Sequence, residues 1–165
     1  MAIADLPNAT WTIDAAKTTV TATAKMMTAV AVPATFDVVS GSITIADGQV
    51  AGVEVTVDAT SYTSSIAKRN KDVKAKGFLD AANYPTITFT ASGGSEEKVA
   101  GEVTIKGTTV PLTFSVSEVD VQGSAATFTA TTMVDRFAVG VDKSPAFVIA
   151  KDVAVEVNAS ATAAE

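Results

Sequence analysis

Apolar and polar residues alternate one by one through most of this chain, most plainly over residues 101–116, GEVTIKGTTVPLTFSV. Val103 and Ile105 form one apolar row, and Val110, Leu112, Phe114 and Val116 form a second. Thr104, Lys106, Thr113, Ser115 and Ser117 stand between and after them. A period of two in β-branched and aromatic residues turns one face of a strand inward and the other to water. Lys106-Gly107-Thr108-Thr109 supplies a short reversal, so the stretch predicts an antiparallel hairpin. Pro111 falls inside the second run, where its missing N–H restricts it to a bulge or a position outside the ladder.

The same pattern recurs along the chain. Residues 1–9 read as a loose terminus, followed by a strand through Trp11-Thr12-Ile13 and a bend at Asp14-Ala15-Ala16. Val20, Ala22, Ala24 and Met26 alternate with Thr19, Thr21, Thr23 and Lys25. Residues 28–34, with Pro33, read as a looser piece. Phe36/Val38 and Ile43/Ile45 change parity at Ser40-Gly41, which predicts a β-bulge or corner. Asp47-Gly48 predicts a tight hairpin into Val53/Val55/Val57. Ile87/Phe89/Ala91, Ala126/Phe128/Ala130 and Val153/Val155/Val157 continue the set, with turns at Asn83-Tyr84-Pro85, residues 93–97 and Gln122-Gly123. Residues 134–145 make a longer excursion ending at Ser144-Pro145, and residues 159–165 read as a tail. Residues 64–76 depart from the pattern: Ser64 or Ser65 suits a helix cap, Ile66 and Val73 share a face, and Gly77 suits a stop. Five of the twelve basic residues fall there: Lys68, Arg69, Lys71, Lys74 and Lys76. A solvated connection and a lid at one end of a barrel are both consistent with them.

About eight half-buried strands joined by hairpin-length connections predict an all-β, antiparallel up-and-down barrel with one short helical excursion. The 165 residues suffice for one domain, 1–165, with its core at 11–159. Trp11 is placed as the plug of one barrel end. The inward rows are small, with Ala22, Ala24, Ala91, Ala126 and Ala130 among many valines, and small side chains leave volume that a barrel must either close or fill with a ligand.

The chain holds no Cys and no His, which removes disulfides, thiolate chemistry, the commonest metal ligand and the commonest base near neutral pH. No metal site or cofactor is expected. The formal net charge of −6 gives no overall attraction for nucleic acid or an anionic membrane. No stretch is long and apolar enough for a transmembrane helix. The opening residues lack a basic n-region and an apolar h-region, which favours the cytoplasm. If Met1 was added to a processed form, the compartment would be periplasmic or extracellular.

Several motifs in order resemble the YceI-like, polyisoprenoid-binding family of lipocalin-like barrels, over residues 11–159. They are Trp11-Thr12-Ile13-Asp14, then Lys68-Arg69-Asn70, Gly77-Phe78-Leu79-Asp80 and Asn83-Tyr84-Pro85-Thr86-Ile87-Thr88-Phe89. Gly101-Glu102-Val103-Thr104-Ile105-Lys106-Gly107 with Val110-Pro111-Leu112 follows, then Val134-Asp135-Arg136 ending at Gly140, and Lys151-Asp152-Val153 running on to Val157. The resemblance implies a bacterial lipid-binding barrel that carries an isoprenoid lipid or isoprenoid-quinone tail and performs no catalysis. The chain departs from the family at Lys17, Met26 and Asp72, where histidines are usual, and at Ala138-Val139, where an acidic–aromatic pair is usual.

With the small inward row, the resemblance implies a lumen wall of Val20, Ala22, Ala24, Met26, Phe36 and Val38, continued by Val55, Ile87, Phe89, Phe114, Phe128 and Phe137. Arg136 is the candidate contact for a polar head group, and a structural ion pair with Asp135 is its other reading. Two further functions stand beside the carrier: a structural or stress-related barrel with a filled core, and an enzyme acting on a hydrophobic substrate. For the enzyme, the serines lack a His partner, and Asp135 and Asp142 have no spacing that fixes an acid–base pair. The expected partner is an isoprenoid lipid, and the oligomeric state is open between monomer and homodimer.

Overall fold

The computed structural model describes residues 3–26, 30–65, 67–75, 78–94, 97–141, 149 and 151–163. The expectations for Ile66, Lys76, Gly77, Ser95, Glu96, Asp142 and Ser144-Pro145 lie outside these residues. Nine strand segments form one antiparallel sheet: β1 (Ala9–Ile13), β2 (Thr19–Met26), β3 (Val30–Ala46), β4 (Gln49–Ser64), β5 (Thr86–Gly94), β6 (Lys98–Ile105), β7 (Thr108–Gln122), β8 (Ala125–Asp135) and β9 (Asp152–Ala163). From β2 onward each segment pairs with the next in sequence, and β9 returns to β2. The sheet therefore closes as an up-and-down barrel, as the alternation predicts.

Nine segments make eight strand positions because β1 and β2 share one. β1 pairs with Ser42–Ile45 of β3 and with the end of β9, while β2 continues along the same two neighbours. The break between them is the expected bend. The Asp14 carboxylate accepts from the Ala16 N–H at 3.1 Å and caps a 3-10 turn at Ala15–Lys17. Thr18 then ties the break to β9, its hydroxyl oxygen accepting from the Ser160 N–H at 3.2 Å. Gly41 lets β1 lie close, since a Cβ there would stand 2.9 Å from Ile13 Cγ1.

Burial follows the sequence rows and their parity changes. Val32, Ala34, Phe36 and Val38 are buried, then Ile43 and Ile45, with the register shifting between Val38 and Ser40. Another bulge, on β7 between Ser117 and Asp120, moves the inward row from Val116 to Val119 and Val121. Both strand prolines sit where the ladder is one-sided. Pro33 faces Thr23 of β2 just beyond the last β3–β4 pair, Ala34 with Ser64. Pro111 faces Glu102 of β6, and the β7–β8 register begins only at Ser115.

Four expectations need correction. The piece at 28–34 is strand from Val30 onward, because the one-sided position accommodates Pro33. The terminus is not loose: Ile3–Asp5 form a 3-10 turn, and Ile3 and Leu6 are buried under the barrel. The tail is not a tail, since residues 159–163 complete β9 with Ala159 and Ala161 facing inward. The helix is shorter than 64–76. Helix α1 spans Ala67–Lys74, and Ser64 is the last residue of β4, its N–H and hydroxyl both donating to the Asn70 carboxamide oxygen at 2.6 Å.

Candidate functional site

Strand direction sorts the connections into two ends. The tight turns Asp47-Gly48 and Gly123-Ser124, the turn Ile3–Asp5, the end of β9 and the facing ends of β5 and β6 lie at one end. There Trp11 is fully buried and donates from Nε1 to the Pro7 carbonyl at 3.0 Å, with Ile3 and Leu6 packed alongside. Trp11 thus occupies the end where the sequence places a plug. At the other end lie α1 with residues 78–84, the Lys106-Gly107 turn and residues 136–141. These pieces touch one another: Lys106 Nζ donates to the Gly140 carbonyl at 3.1 Å, and Tyr84 lies against Gly107.

Between the ends runs a cavity of about 260 Å³, near the ~300 Å³ lower end of ordinary ligand pockets. It reaches from Ile3 at the closed floor to Val73 of α1 and Val139 under the roof. On β9 its wall runs from Val153 to Ala159, about 20 Å along the strand. The interior is hollow, as the burial pattern independently shows. Inward residues of β4, β7 and β9, such as Val55, Phe114 and Val155, are only half-buried although their outward neighbours face water. Side chains on the inside of a closed barrel retain exposed surface only where nothing fills the space opposite.

Of the residues expected on the wall, Val20, Ala22, Ala24, Phe36 and Val38 face the cavity, as do Val55, Ile87, Phe89, Phe114 and Phe128. Met26 ends β2 opposite Val30, and its side chain lies outside the described residues. Phe137 is not on the wall; its ring lies beneath the Arg136 guanidinium, 4.4 Å from centroid to Cζ. Edge-to-face pairs of Phe89 with Phe114 (5.0 Å) and Phe36 with Tyr62 (5.4 Å) stiffen the lining.

Only Thr18, Tyr62 and Arg136 bring polar side-chain atoms to the described wall. Arg136 is 4% exposed. It donates to the carbonyls of Val141 at 2.9 Å and Ile149 at 2.7 Å, which ties these two residues together at the barrel mouth. A buried guanidinium is tolerable when backbone oxygens accept its hydrogen bonds. The expected ion pair with Asp135 has different partners: the Asp135 carboxylate meets Lys151 Nζ at 3.9 Å at the surface.

Sequence reasoning named only part of the strand wall, omitting Tyr62 and Val153, Val155 and Val157 among others, and left out the wall residues that come from connections. Val73, Phe78 and Leu79 follow β4, Val139, Val141 and Ile149 follow β8, and Ile3 comes from the terminus. Phe78-Leu79 was visible as an apolar pair inside a polar loop. The others carry no period that would reveal them.

Fold and cavity together define a class: a closed antiparallel barrel with a hollow, apolar lumen roofed at one end by a helix and two loops. The chain belongs to the YceI-like family, whose domain model matches residues 11–161. Protein YceI of Escherichia coli O157:H7 is 37% identical over 65 residues, covering 37% of this chain and 34% of that protein. A UPF0312 protein of Vibrio campbellii is 33% identical over 85 residues, 47% of this chain and 45% of its own length. The matched segments thus span about a third to a half of these curated relatives. Among solved structures, BcnA of Burkholderia cenocepacia superposes with a TM-score of 0.80 at 26% identity, covering 91% of this chain and 99% of that one. A polyisoprenoid binding domain from Saccharophagus degradans, implicated in plant cell wall breakdown, gives 0.73 at 16% identity, covering 93% and 98%, a likeness of fold.

Proposed function

We propose that the barrel holds the apolar tail of an isoprenoid lipid or isoprenoid quinone in its lumen, as a carrier or sequestering protein and without catalysis. The observation that carries this reading is the wall itself, whose described residues are aliphatic or aromatic apart from Thr18 and Arg136. Such a wall gains roughly 0.8 kcal/mol for each CH₂ it removes from water, and it selects for length and thickness rather than for functional groups. Arg136 is the one charged side chain on that wall and stands at the roofed end, where it would meet the polar end of a ligand lying along the axis. The fold shared with a polyisoprenoid binding domain supports the same assignment. With no carboxylate on the described wall and no His in the chain, the lumen offers binding rather than acid–base chemistry.

Native mass spectrometry, followed by solvent extraction and lipid analysis, tests the reading. The expected result is a stoichiometric adduct, either copurified or formed on adding farnesol or a short-tailed ubiquinone. A protein that takes up neither at saturating concentration would be a barrel without this ligand.

A further inference from the structure

The charges are sorted along the barrel axis. Lys68 and Lys71 on α1 are exposed and Lys74 is partly so; Lys25, Lys106 and Lys151 lie at the same end. Asp72, Asp80, Asp135, Asp152 and Glu156 lie at that end too and offset much of this charge, Lys151 being paired with Asp135, while Asp37, Asp58 and Glu102 lie midway along their strands. Toward the closed end acidic residues prevail outright: Asp5, Asp47, Glu54, Glu97, Glu118 and Asp120 are exposed there, with Lys17 and Lys98 as the basic residues. Large apolar side chains left in water are sorted in the same way. Val30 (58%), Met133 (56%) and Tyr84 (40%) all lie toward the helix end, and Val39 lies midway along β3.

The geometry points to the helix-bearing end as a docking surface for an anionic lipid bilayer, on which the barrel stands end-on with its roof against the headgroups. The net charge of −6 gives no attraction for such a surface as a whole. The axial separation orients the molecule so that the lysines approach and the acidic floor points away, and within about 8–10 Å the near charges dominate. Tyr84 and Val30 supply the amphipathic and apolar contacts that interfacial binding adds to charge. The inference rests on the lumen being a lipid site, since it is the roof of that lumen that meets the membrane. An acidic protein partner would use the lysines but not need the exposed apolar residues beside them.

Flotation with phosphatidylglycerol/phosphatidylcholine vesicles against pure phosphatidylcholine vesicles tests it in the full chain. Wild-type protein is expected to float with the anionic vesicles only, and less as salt rises. The triple variant Lys68→Gln, Lys71→Gln, Lys74→Gln is expected to bind roughly a hundredfold more weakly, while Lys98→Gln at the far end changes nothing. Uptake of a fluorescent farnesyl probe in vesicle-free buffer is measured on the same proteins, and the triple variant should retain it. Absent flotation, or flotation indifferent to the three lysines, overturns the docking surface whatever the probe does. Lysine-dependent flotation by a wild-type protein that never takes up the probe retains the docking surface and removes the lumen reading instead.

Discussion

At one end of the barrel two-residue turns join the strands and a fully buried indole forms the floor. At the other, α1, residues 78–84 and residues 136–141 lie over the opening, held by a few polar bonds such as Lys106 to Gly140 and Arg136 to Val141 and Ile149. The floor is dense apolar packing that opens only with the fold. The roof hangs on individually modest contacts, the kind of region that opens locally at low cost. On the proposed function a ligand enters the lumen, and the difference then puts entry at the roof and stability at the floor.

The largest effect that would sharpen this contrast is Trp11→Ala. Emptying the floor should lower unfolding free energy by about 3–5 kcal/mol, read as a lower urea midpoint with an unchanged slope. Arg136→Met comes next. It leaves two carbonyls under the roof without that donor, for a loss of roughly 2–4 kcal/mol. If the roof is the entry, proteolysis of this variant between residues 136 and 151 should accelerate by more than its lost global stability accounts for. Cleavage appearing first near residue 11 would invert the comparison.

Two matched turns give a finer test. Asp47-Gly48 and Lys106-Gly107 both place two positive-φ residues in sequence, with φ of 55° and 71° against 53° and 75°, the geometry of a type I′ hairpin. A Cβ at Gly48 meets nothing within 4 Å, whereas one at Gly107 stands 3.0 Å from the Tyr84 ring. Gly48→Ala should cost only the backbone strain, about 1 kcal/mol. Gly107→Ala should add displacement of Tyr84, seen as altered tyrosine fluorescence and a changed rate of probe uptake. Equal behaviour of the two variants would mean that Tyr84 has no part in the roof.

Smallest in stability, though decisive for the lumen, is Ala24→Phe. Ala24 lines the cavity, so the ring should enter empty space with the denaturant midpoint unchanged or slightly raised, and lipid uptake should be lost. A drop of 1–3 kcal/mol, the usual cost of overpacking, would instead describe a filled interior.

The strands were legible because Val, Ile and Phe contrast sharply with Thr and Lys at a period of two. Legibility failed where that contrast fades. In residues 159–163 the inward residues are alanines, too small to stand out against Ser and Thr, and at Val30 to Ala34 a proline masks a strand whose ladder is one-sided there. Ile3 and Leu6 pack as single contacts without a period. The same limit governs the site. Its strand-borne wall followed from the alternation, but its roof is built from isolated apolar residues in loops, brought together only by the chain's path.

Closure of the barrel depends on its two ends in sequence. The seam joins β9 to β1 and β2, and its side-chain stitch, Thr18 to Ser160, spans 142 positions. A chain emerging from the ribosome is therefore a curved sheet with two raw edges until β9 is free, and no earlier segment can substitute for it. During that interval β2 and β8 present unpaired backbone to any neighbour. The final strand acts as a clasp, and removing it would leave a ribbon prone to join another copy edge to edge.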